Sequence, residues 1–417
     1  MKAGYSPSGL RYLAAMIGLA LALAALGGEA FAVDLKFQYR EGDRFRFYGE
    51  SEQSVRLNGK ALQTNSGTFR SGYAVPASSD GKAQLKGQIT YTTSRKGAHS
   101  AAQASEALDV AYAIDELGRY SVAAGSALPA LRDVPSFPGR AVEEEDTWSA
   151  PGTEVEDLSD IGAFSQNKEP LPLIFITFPV SYRYAGSQIK DGKTLQIIEI
   201  DYNLYASTTF TKEQYRVFPV LLCGKTHETL YFNNALGLED SYSEEYSLDI
   251  VLSTGDVYEF SGRTTASLTE AAIMDRPQLE KEVKQDLAAQ GLQDLVVKSA
   301  DRGIVISLNS IDFPADSSEL SPTEKAKLRL IGDVLKEYPD RDLLVEGFTA
   351  QAGSSDQQRR LSEERAASVG DYLLELGVRE PKQIIYRGLG AKRPLAPNDT
   401  EENRRKNRRV EITILEN

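Results

Sequence analysis

The sequence predicts an α+β protein. An antiparallel β-rich N-terminal domain is followed by a small domain of β-α-β-α-β-β order, with its helices on one face of a mixed sheet. Three observations support this prediction. Apolar and polar residues alternate with a period of two from Val33 to about Arg263, which is typical of strands. After Pro277 the apolar spacing becomes helical, and strands then alternate with capped helices.

The first 32 residues have the features of a cleaved secretory signal peptide. Lys2 and Arg11 precede an apolar run at residues 13–26, and an Ala-x-Ala motif ends at Ala32. A helix of this length rises about 21 Å, which is short of the ~30 Å hydrocarbon core of a bilayer. We therefore expect export to the periplasm, with a mature chain that begins at Val33. Association with the outer membrane stays open at this point.

The composition excludes several classes of function. Lys and Arg number 47 against 60 Asp and Glu, so the net charge of −13 argues against nucleic acid as a partner. One cysteine and two histidines cannot build a disulfide framework, a cysteine-rich zinc site or an iron–sulfur site. The sequence also has no nucleophile elbow and no phosphate-binding loop. We therefore expect neither a cofactor nor enzymatic activity.

The β-rich domain is predicted at residues 33–265. Alternation at residues 35–39 and 45–47, on either side of a turn at Glu41-Gly42-Asp43, predicts a hairpin. Similar alternation predicts strands around residues 84–93, 173–184, 195–205, 218–223, 229–232 and 257–260.

Two features inside this domain leave alternatives open. The acidic segment 142–160 is either a long loop or a boundary between two β-halves, which would split the domain near residues 143–165. Gly224-Lys225-Thr226 is interpreted as a turn between Cys223 and His227. A Cys–His nucleophile pair would need a third, orienting group, so ordinary hairpin residues are the favoured interpretation.

A helical connection at residues 266–293 leads into the last domain, at residues 294–417. Leu279, Val283 and Leu287 form an apolar stripe at helical spacing. Two strands follow at residues 294–299 and 304–308. The connection therefore marks the point at which the β-rich domain ends.

The last domain has clear helix signals. Ser321-Pro322-Thr323-Glu324 combines a serine N-cap, a proline at the first helical position and a glutamate at the third. A second helix is predicted from a capping box at residues 355–358 to Leu376-Gly377. Strands are predicted at residues 343–345, 384–386 and 409–415.

One arginine of the second helix is out of place on an apolar face. Arg365 occupies a four-residue step between Leu361, Val369 and Leu373. A guanidinium in this position is either paired with a carboxylate such as Glu346 or faces a ligand, because arginine presents a planar fork suited to carboxylates.

Several motifs of this domain resemble the OmpA-like C-terminal domain, the peptidoglycan-associating module of bacterial envelope proteins. They lie in the expected order over residues 295–417, whereas the β-rich region resembles no family. The matching segments are Leu344-Val-Glu-Gly-Phe-Thr-Ala350, Leu361-Ser-Glu-Glu-Arg-Ala-Ala-Ser-Val369, Tyr372-Leu-Leu-Glu-Leu-Gly377, Gly388-Leu-Gly390 with Pro394, and Asn398-Asp-Thr-Glu-Glu-Asn-Arg-Arg-Lys-Asn-Arg-Arg-Val-Glu-Ile412.

The resemblance implies a pocket for the diamino acid of the peptidoglycan stem peptide. Arg365 matches the arginine that binds the carboxylate of this diamino acid. The aspartate that binds its ammonium group corresponds to Ala350, beside Thr349, and the family histidine corresponds to Phe348. Gln358 stands where asparagine is usual. Asn407 and Arg408, in the last matching segment, complete the candidate pocket.

These observations predict a non-enzymatic cell-envelope protein with a structural, tethering role at the cell wall. Its stem-peptide binding would be weakened or altered, because half of the clamp for the diamino acid is missing. An unknown envelope protein is the expected partner of the β-rich domain. Two alternatives stay open: an outer-membrane β-barrel protein with a periplasmic OmpA-like tail, and an OmpA-like domain repurposed for protein–protein interaction.

Overall fold

The computed structural model describes residues 32–93, 102–105, 107–159, 161–269, 276–300, 302–308, 313, 317–339 and 341–415. The predicted signal peptide lies outside these residues, except for Ala32. The chain forms two compact units. Unit 1 consists of residues 1–89 and 107–269, and unit 2 consists of residues 90–106 and 270–417.

Unit 1 is built from long antiparallel strands. Its strands, together with the short β4 that belongs to unit 2, are β1 Arg44–Leu57, β2 Lys60–Ser79, β3 Lys82–Thr93, β4 Ala102–Ala104, β5 Leu108–Asp115, β6 Tyr120–Ser121, β7 Leu131–Arg132, β8 Thr147–Glu156, β9 Ile174–Lys190, β10 Lys193–Ser207, β11 Pro219–Asn233, β12 Leu238–Leu252 and β13 Val257–Thr269. A 3₁₀ helix lies at Gly162–Gln166. The neighbours run in the order β2-β1-β13-β12-β11-β10-β9-β8.

One face of this sheet is apolar because side chains alternate between the two faces of a strand. In β10, for example, Ile198, Ile200 and Tyr202 are buried, whereas Glu199 and Asp201 between them point outward. These buried residues belong to a single apolar core in which aromatic rings are frequent.

The hairpin predicted at residues 35–47 is wrong. Residues 34–40 form no strand, although Leu35 and Phe37 are buried in the core. The strand that follows, β1, pairs with β2 and β13 instead. Alternation identified the apolar face correctly, but it carries no information on which strands pair.

The turn predicted at residues 224–226 is also wrong. β11 runs through this segment without interruption, and Gly224 lies opposite Leu248 of β12. A Cβ on Gly224 would come closer than 3.0 Å to the carbonyl oxygen of Ser247. This glycine therefore permits a close approach of two strands rather than a turn.

The acidic segment 142–160 contains β8, which pairs with β9 over its whole length. Trp148 of this strand stacks on the buried ring of Tyr182 at 5.2 Å between ring centroids. The indole N–H donates a hydrogen bond to the Ser136 carbonyl oxygen at 2.8 Å. Much of this segment is thus part of the sheet and not a loop.

Unit 2 is an α/β unit. Its elements after β4 are α1 Arg276–Ala289, β14 Val296–Ala300, β15 Gly303–Leu308, α2 Pro322–Lys336, β16 Leu343–Phe348, α3 Ser355–Glu375, a 3₁₀ turn at Pro381–Gln383, β17 Ile384–Gly388, α4 Glu401–Asn407 and β18 Arg409–Leu415. The described strands lie in the order β14-β15-β18-β16-β17-β4; β16 with β17 and β17 with β4 pair in parallel, and the other neighbours in this order pair antiparallel.

Helices α2, α3 and α4 begin at side-chain caps. The Ser321 side chain accepts a hydrogen bond from the Glu324 N–H at 3.2 Å, as the sequence predicts for α2. The cap of α3 is Ser354 with Gln357, one residue before the predicted position. Residues of α1, α2 and α3 share one apolar core with the strands. No helix among the described residues has the length and apolar character needed to cross a membrane.

Candidate functional site

The loop after β16 carries the residues that correspond to the family's ammonium-binding motif. The Thr349 N–H donates to the Gly390 carbonyl oxygen at 2.8 Å, and the Gln351 N–H donates to Asn398 Oδ1 at 3.0 Å. Thr349 and Ala350 are only 7% and 6% exposed. Two neighbouring segments therefore hold this loop in place.

Asn407 organises one of these segments. Its Oδ1 accepts hydrogen bonds from the N–H groups of Leu395 and Ala396 at 2.7 and 3.0 Å. Its Nδ2 donates to the Ala396 carbonyl oxygen at 2.8 Å and to Asn398 Oδ1 at 3.0 Å. The sequence predicted Asn407 as a site residue, and the structure places it as a support of the loop through Asn398. Asn398 itself was missed as a site residue, although its segment matches the family motif.

Helix α3 packs directly on the strand ends that carry the loop. A Cβ on Gly347 would come closer than 3.0 Å to the Ser362 carbonyl oxygen, and one on Gly388 would meet the α3 backbone at a similar distance. The fully buried Ser362 accepts a hydrogen bond from the Gly390 N–H at 2.9 Å. Two glycines and one serine thus set the position of α3 relative to the loop.

Gln358 closes the loop from the first turns of α3. Its Nε2 donates to the carbonyl oxygens of Ala352 and Gly353, at 3.1 Å each. The amide nitrogen is therefore used inside the loop. Where the family pattern has asparagine, the longer glutamine of this chain reaches the loop backbone.

Arg365 lies further along α3 and is only 4% exposed. Its Nε donates to the Ser317 carbonyl oxygen at 2.9 Å, and its guanidinium carbon lies 4.9 Å from the centroid of the Phe313 ring. Seven residues separate it from Gln358, which corresponds to about 10 Å along the helix axis. The structure thus brings Arg365 against the segment before α2.

Glu346, the carboxylate suggested as a partner of Arg365, pairs with other arginines. Val345 and Gly347 face α3, and Glu346 between them points to the opposite face of the sheet. Its Oε1 accepts hydrogen bonds from Nε and Nη2 of Arg387 at 2.8 and 2.7 Å, and Arg302 Nη2 lies 3.0 Å from both carboxylate oxygens.

The buried pair of Glu346 and Arg387 is charged. Burial alone would raise the pKa of Glu346, but the guanidinium groups of Arg302 and Arg387 outweigh it and hold this pKa below the ordinary value of 4.5. Glu346 and Arg387 are 2% and 4% exposed. This carboxylate is committed to Arg302 and Arg387, with Arg393 Nη1 a further 3.8 Å from its Oε1, so it cannot replace the missing aspartate of the loop.

The basic run at residues 403–409 forms local ion pairs. Arg404 and Arg408 both pair with Glu401, and Lys406 pairs with Glu402 at 2.8 Å. The predicted site residue Arg408 is therefore held by a carboxylate of α4.

Phe348 has a different role from the histidine to which it corresponds. It is 1% exposed, and the guanidinium carbon of Arg409 lies 3.7 Å from its ring centroid. Arg409 also pairs with Glu411 at 2.8 Å. The ring is a buried platform for a cation of the protein itself.

Unit 1 contains a polar cleft of about 660 Å³. Its charged side chains lie on the outward face of β10 to β13 and β1, and several form pairs. Arg263 Nη2 is 2.7 Å from Glu245 Oε1, and His227 Nδ1 is 2.9 Å from Asp201 Oδ1.

Residues 223 and 227 are separated by about 13 Å along one strand, which rules out a Cys–His pair. Burial is the main cause that raises the pKa of the Cys223 thiol. The negative charge of Asp249 raises this pKa further.

The comparisons with known proteins concern the C-terminal region. The family model described as the OmpA family matches residues 312–408, and the N-terminal region matches no family. A stretch of 119 residues is 40% identical to the "Probable lipoprotein YiaD" of Escherichia coli, and covers 28% of this chain and 54% of that protein.

Two further relatives match the same part of the chain. Over 104 residues it is 40% identical to the "Peptidoglycan-binding protein ArfA" of Mycobacterium tuberculosis, which covers 25% of this chain and 32% of ArfA. Over 105 residues it is 37% identical to the "Outer membrane porin F" of Pseudomonas aeruginosa, which covers 25% of this chain and 30% of the porin. The chain thus matches about half or less of each relative. Its C-terminal unit contains an OmpA-family domain at residues 312–408.

Proposed function

We propose that this chain is a non-enzymatic envelope protein with a tethering role, whose OmpA-like domain associates with peptidoglycan through a weakened or altered stem-peptide pocket. The relative ArfA is named for peptidoglycan binding. The position that corresponds to the ammonium-binding aspartate is the buried Ala350, and this observation carries the proposal.

The remainder of the proposed pocket supports recognition of a carboxylate rather than a complete zwitterion. Arg365 supplies a guanidinium on α3, and the loop that contains Thr349 and Ala350 is held by Asn398 and Gly390. A hydrogen bond to a charged partner contributes about 1.5–3 kcal/mol. Its absence corresponds to a loss in affinity of roughly ten- to more than a hundred-fold.

The same proposal includes the location of the protein. The apolar run at residues 13–26 and the Ala-x-Ala motif support export through a cleaved signal, with the mature chain in the periplasm. The relatives named as a lipoprotein and as an outer-membrane porin are envelope proteins. A periplasmic chain could reach the cell wall through its OmpA-like domain.

The second candidate function is a protein-interaction module, and one observation favours it. The edge of β17 already accepts a strand: β4 pairs with it in parallel, with Gln103 opposite Tyr386. Gln103 Nε2 donates to Glu363 Oε1 at 2.7 Å, and Arg387 Nη1 donates to the Ser105 carbonyl oxygen at 3.2 Å. An edge that binds a strand of its own chain is chemically suited to a strand of a partner.

Co-sedimentation of the chain from Val33 onward with intact peptidoglycan sacculi tests the proposal. We expect weak pelleting of the wild type, and an increase in affinity of about ten-fold or more for Ala350→Asp, because the new carboxylate completes the clamp. Arg365→Ala in the Ala350→Asp background should remove this gain. Arg360→Ala, an exposed arginine of the same helix, is the matched control and should change nothing.

The variants must first be shown to fold, since Arg365 is buried. Arg365→Lys keeps the charge but loses the planar fork, and it should lower the affinity without unfolding the helix. If Ala350→Asp pellets no better than the wild type and Arg365→Lys pellets equally well, the pocket does not bind the stem peptide. The interaction-module function would then be preferred.

A further inference from the structure

A straight row of polar side chains runs along the polar cleft of unit 1. Its six members come from six adjacent strands, and each lies directly opposite the next: Asn203, Lys225, Ser247, Ser261, Ser54 and Thr64. All six line the cleft, and they are called the cleft row below. Neighbouring strands lie about 4.8 Å apart, so the row spans roughly 24 Å perpendicular to the strands.

The cleft row lies on the outward face of the sheet. Leu204 and Leu248, which directly follow Asn203 and Ser247 in their strands, are buried in the core. Successive side chains of a strand point to opposite faces, so the row points away from the core. A ligand in solution can therefore reach it.

The hydrogen-bonding groups of the cleft row are available to such a ligand. None of the six side chains forms a hydrogen bond or an ion pair within the part of the chain that the structure describes. Hydroxyl and amide groups both donate and accept hydrogen bonds, whereas the ammonium group of Lys225 only donates. The row thus presents one available polar group on each of six neighbouring strands.

Paired charges border the cleft row on one side. Glu245 pairs with Arg263 at 2.7 Å, and Asp201 lies 2.9 Å from His227. With one further carboxylate and the ammonium group of the row, the cleft is lined by three carboxylates and two cations besides the histidine. The charge of the cleft is therefore nearly balanced, which favours an uncharged ligand over a polyanion.

The spacing of the cleft row distinguishes between classes of linear ligand. An extended polypeptide advances by about 3.3 Å per residue, so its polar groups would not stay in register with strands about 4.8 Å apart. The pyranose rings of an extended β-1,4-linked oligosaccharide advance by close to one strand spacing. Each ring would then meet the polar group of one strand, and its hydroxyl groups can both donate and accept hydrogen bonds.

An exposed aromatic ring adjoins one end of the cleft row. Tyr205 follows Asn203 by two residues on the same face of β10, and it is 75% exposed. The C–H groups on the face of a pyranose ring pack well on an aromatic ring, and the tyrosine hydroxyl remains available to solvent or ligand. Tyr205 thus offers a platform on which the terminal sugar can stack.

We infer that the polar cleft of unit 1 binds an extended, uncharged oligosaccharide of β-1,4-linked pyranoses, whose rings lie across the strands along the cleft row. The cleft volume of about 660 Å³ lies within the range of small-ligand sites, about 300–1,000 Å³. This inference concerns unit 1 and is independent of the function proposed for the OmpA-like domain.

Isothermal titration of the chain from Val33 onward with cellopentaose and with chitopentaose tests the inference. Maltopentaose is the control of equal length, because its α-1,4 linkages curve the chain away from a straight row. We expect saturable binding of at least one extended pentasaccharide, and an affinity about ten-fold or more lower for maltopentaose. The disaccharide of the same kind should also bind more weakly, since it reaches fewer strands.

Substitutions on one strand test the position of the ligand. Ser261→Val removes a hydroxyl group from the middle of the row and should weaken binding about two- to ten-fold. Ser267→Val is the matched control, because Ser267 lies on the same face of β13 about 20 Å away along the strand. Tyr205→Ala should weaken binding, whereas Tyr205→Phe should keep the affinity. An unchanged urea midpoint, measured by the fluorescence of Trp148, shows that each variant is folded.

Three results would overturn the inference. The first is the absence of saturable binding of both extended pentasaccharides. The second is equal affinity for maltopentaose, or for the disaccharide, because the ligand would then not lie along the row. The third is unchanged binding in the double variant Ser247→Val/Ser261→Val, which would place the ligand on another surface.

Discussion

Replacing Glu346 with glutamine should destabilise the OmpA-like unit by about 3–5 kcal/mol. The substitution leaves Arg387, which is 4% exposed, without the carboxylate that accepts two of its hydrogen bonds. A buried charge that loses its partner keeps its full desolvation cost. Arg302, 25% exposed at its side chain, loses the same partner but can recover part of its hydration.

The two units can be followed separately during urea unfolding. All α-helices of the described residues lie in unit 2, so circular dichroism at 222 nm reports mainly on that unit. The single tryptophan, Trp148, lies in β8 of unit 1, so its fluorescence reports on the other. We expect Glu346→Gln to lower the urea midpoint measured by circular dichroism at 222 nm. The midpoint measured by Trp148 fluorescence should not change. Asp333→Asn, which removes an exposed ion pair with Lys336, should change either signal by less than about 1 kcal/mol.

The pH dependence provides an independent check. The pKa of Glu346 in the folded protein is lower than 4.5, its ordinary value in an unfolded chain. A lowered pKa contributes stability that is fully present above 4.5 and is lost as the pH falls through the folded pKa. The wild type should therefore have a higher free energy of unfolding than Glu346→Gln above pH 4.5, and this difference should shrink as the pH falls below 4.5. A difference that stays constant down to pH 2 would contradict the assigned role of this carboxylate.

The sequence predicts local features of this protein well. The serine cap of α2 depends on residues within one turn, and Ser321 is the observed cap. The apolar stripe of α1 predicts burial of Val283 and Leu287, and both are buried. The position of Arg365 on an apolar helix face correctly indicates a buried guanidinium.

Features that depend on strand pairing could not be predicted. β12 carries polar residues on both faces, including Glu244 and Glu245, so its pattern does not indicate a long strand. Glu228 and Glu244 become neighbours only through the register of β11 with β12. Gly224 suggested a turn because glycine is common in turns, but its neighbour is the backbone of another strand.

The site was only partly predictable for the same reason. The family resemblance indicates which residues occupy the loop after β16, but not what holds it. Asn398 Oδ1 accepts hydrogen bonds from Gln351 and Asn407, which lie 47 and 9 residues away in the sequence. Local sequence patterns do not predict contacts over such separations. Likewise, Glu346 faces away from α3 because of strand alternation, and its arginine partners come from other strands and turns.

Gly347→Ala should be the most damaging of the small substitutions at the site, with a loss of about 2–3 kcal/mol in the stability of unit 2. The new Cβ would lie closer than 3.0 Å to the Ser362 carbonyl oxygen, which belongs to the α3 backbone and cannot rotate away. Relief of this clash requires α3 to move from β16. Because Arg365 lies one turn beyond Ser362, the same movement displaces the guanidinium of the proposed pocket.

Gly332→Ala is the matched control for this prediction. Its Cβ would meet only side-chain carbons, of Val378, Leu376 and Leu373, at 3.1, 3.3 and 3.9 Å. Gly332 lies inside α2, where alanine gains about 1 kcal/mol of helix propensity that offsets this crowding. The urea midpoint at 222 nm should therefore fall clearly for Gly347→Ala and stay near the wild-type value for Gly332→Ala. Equal midpoints for the two variants would show that α3 tolerates displacement, and its close packing on β16 would then not position the site.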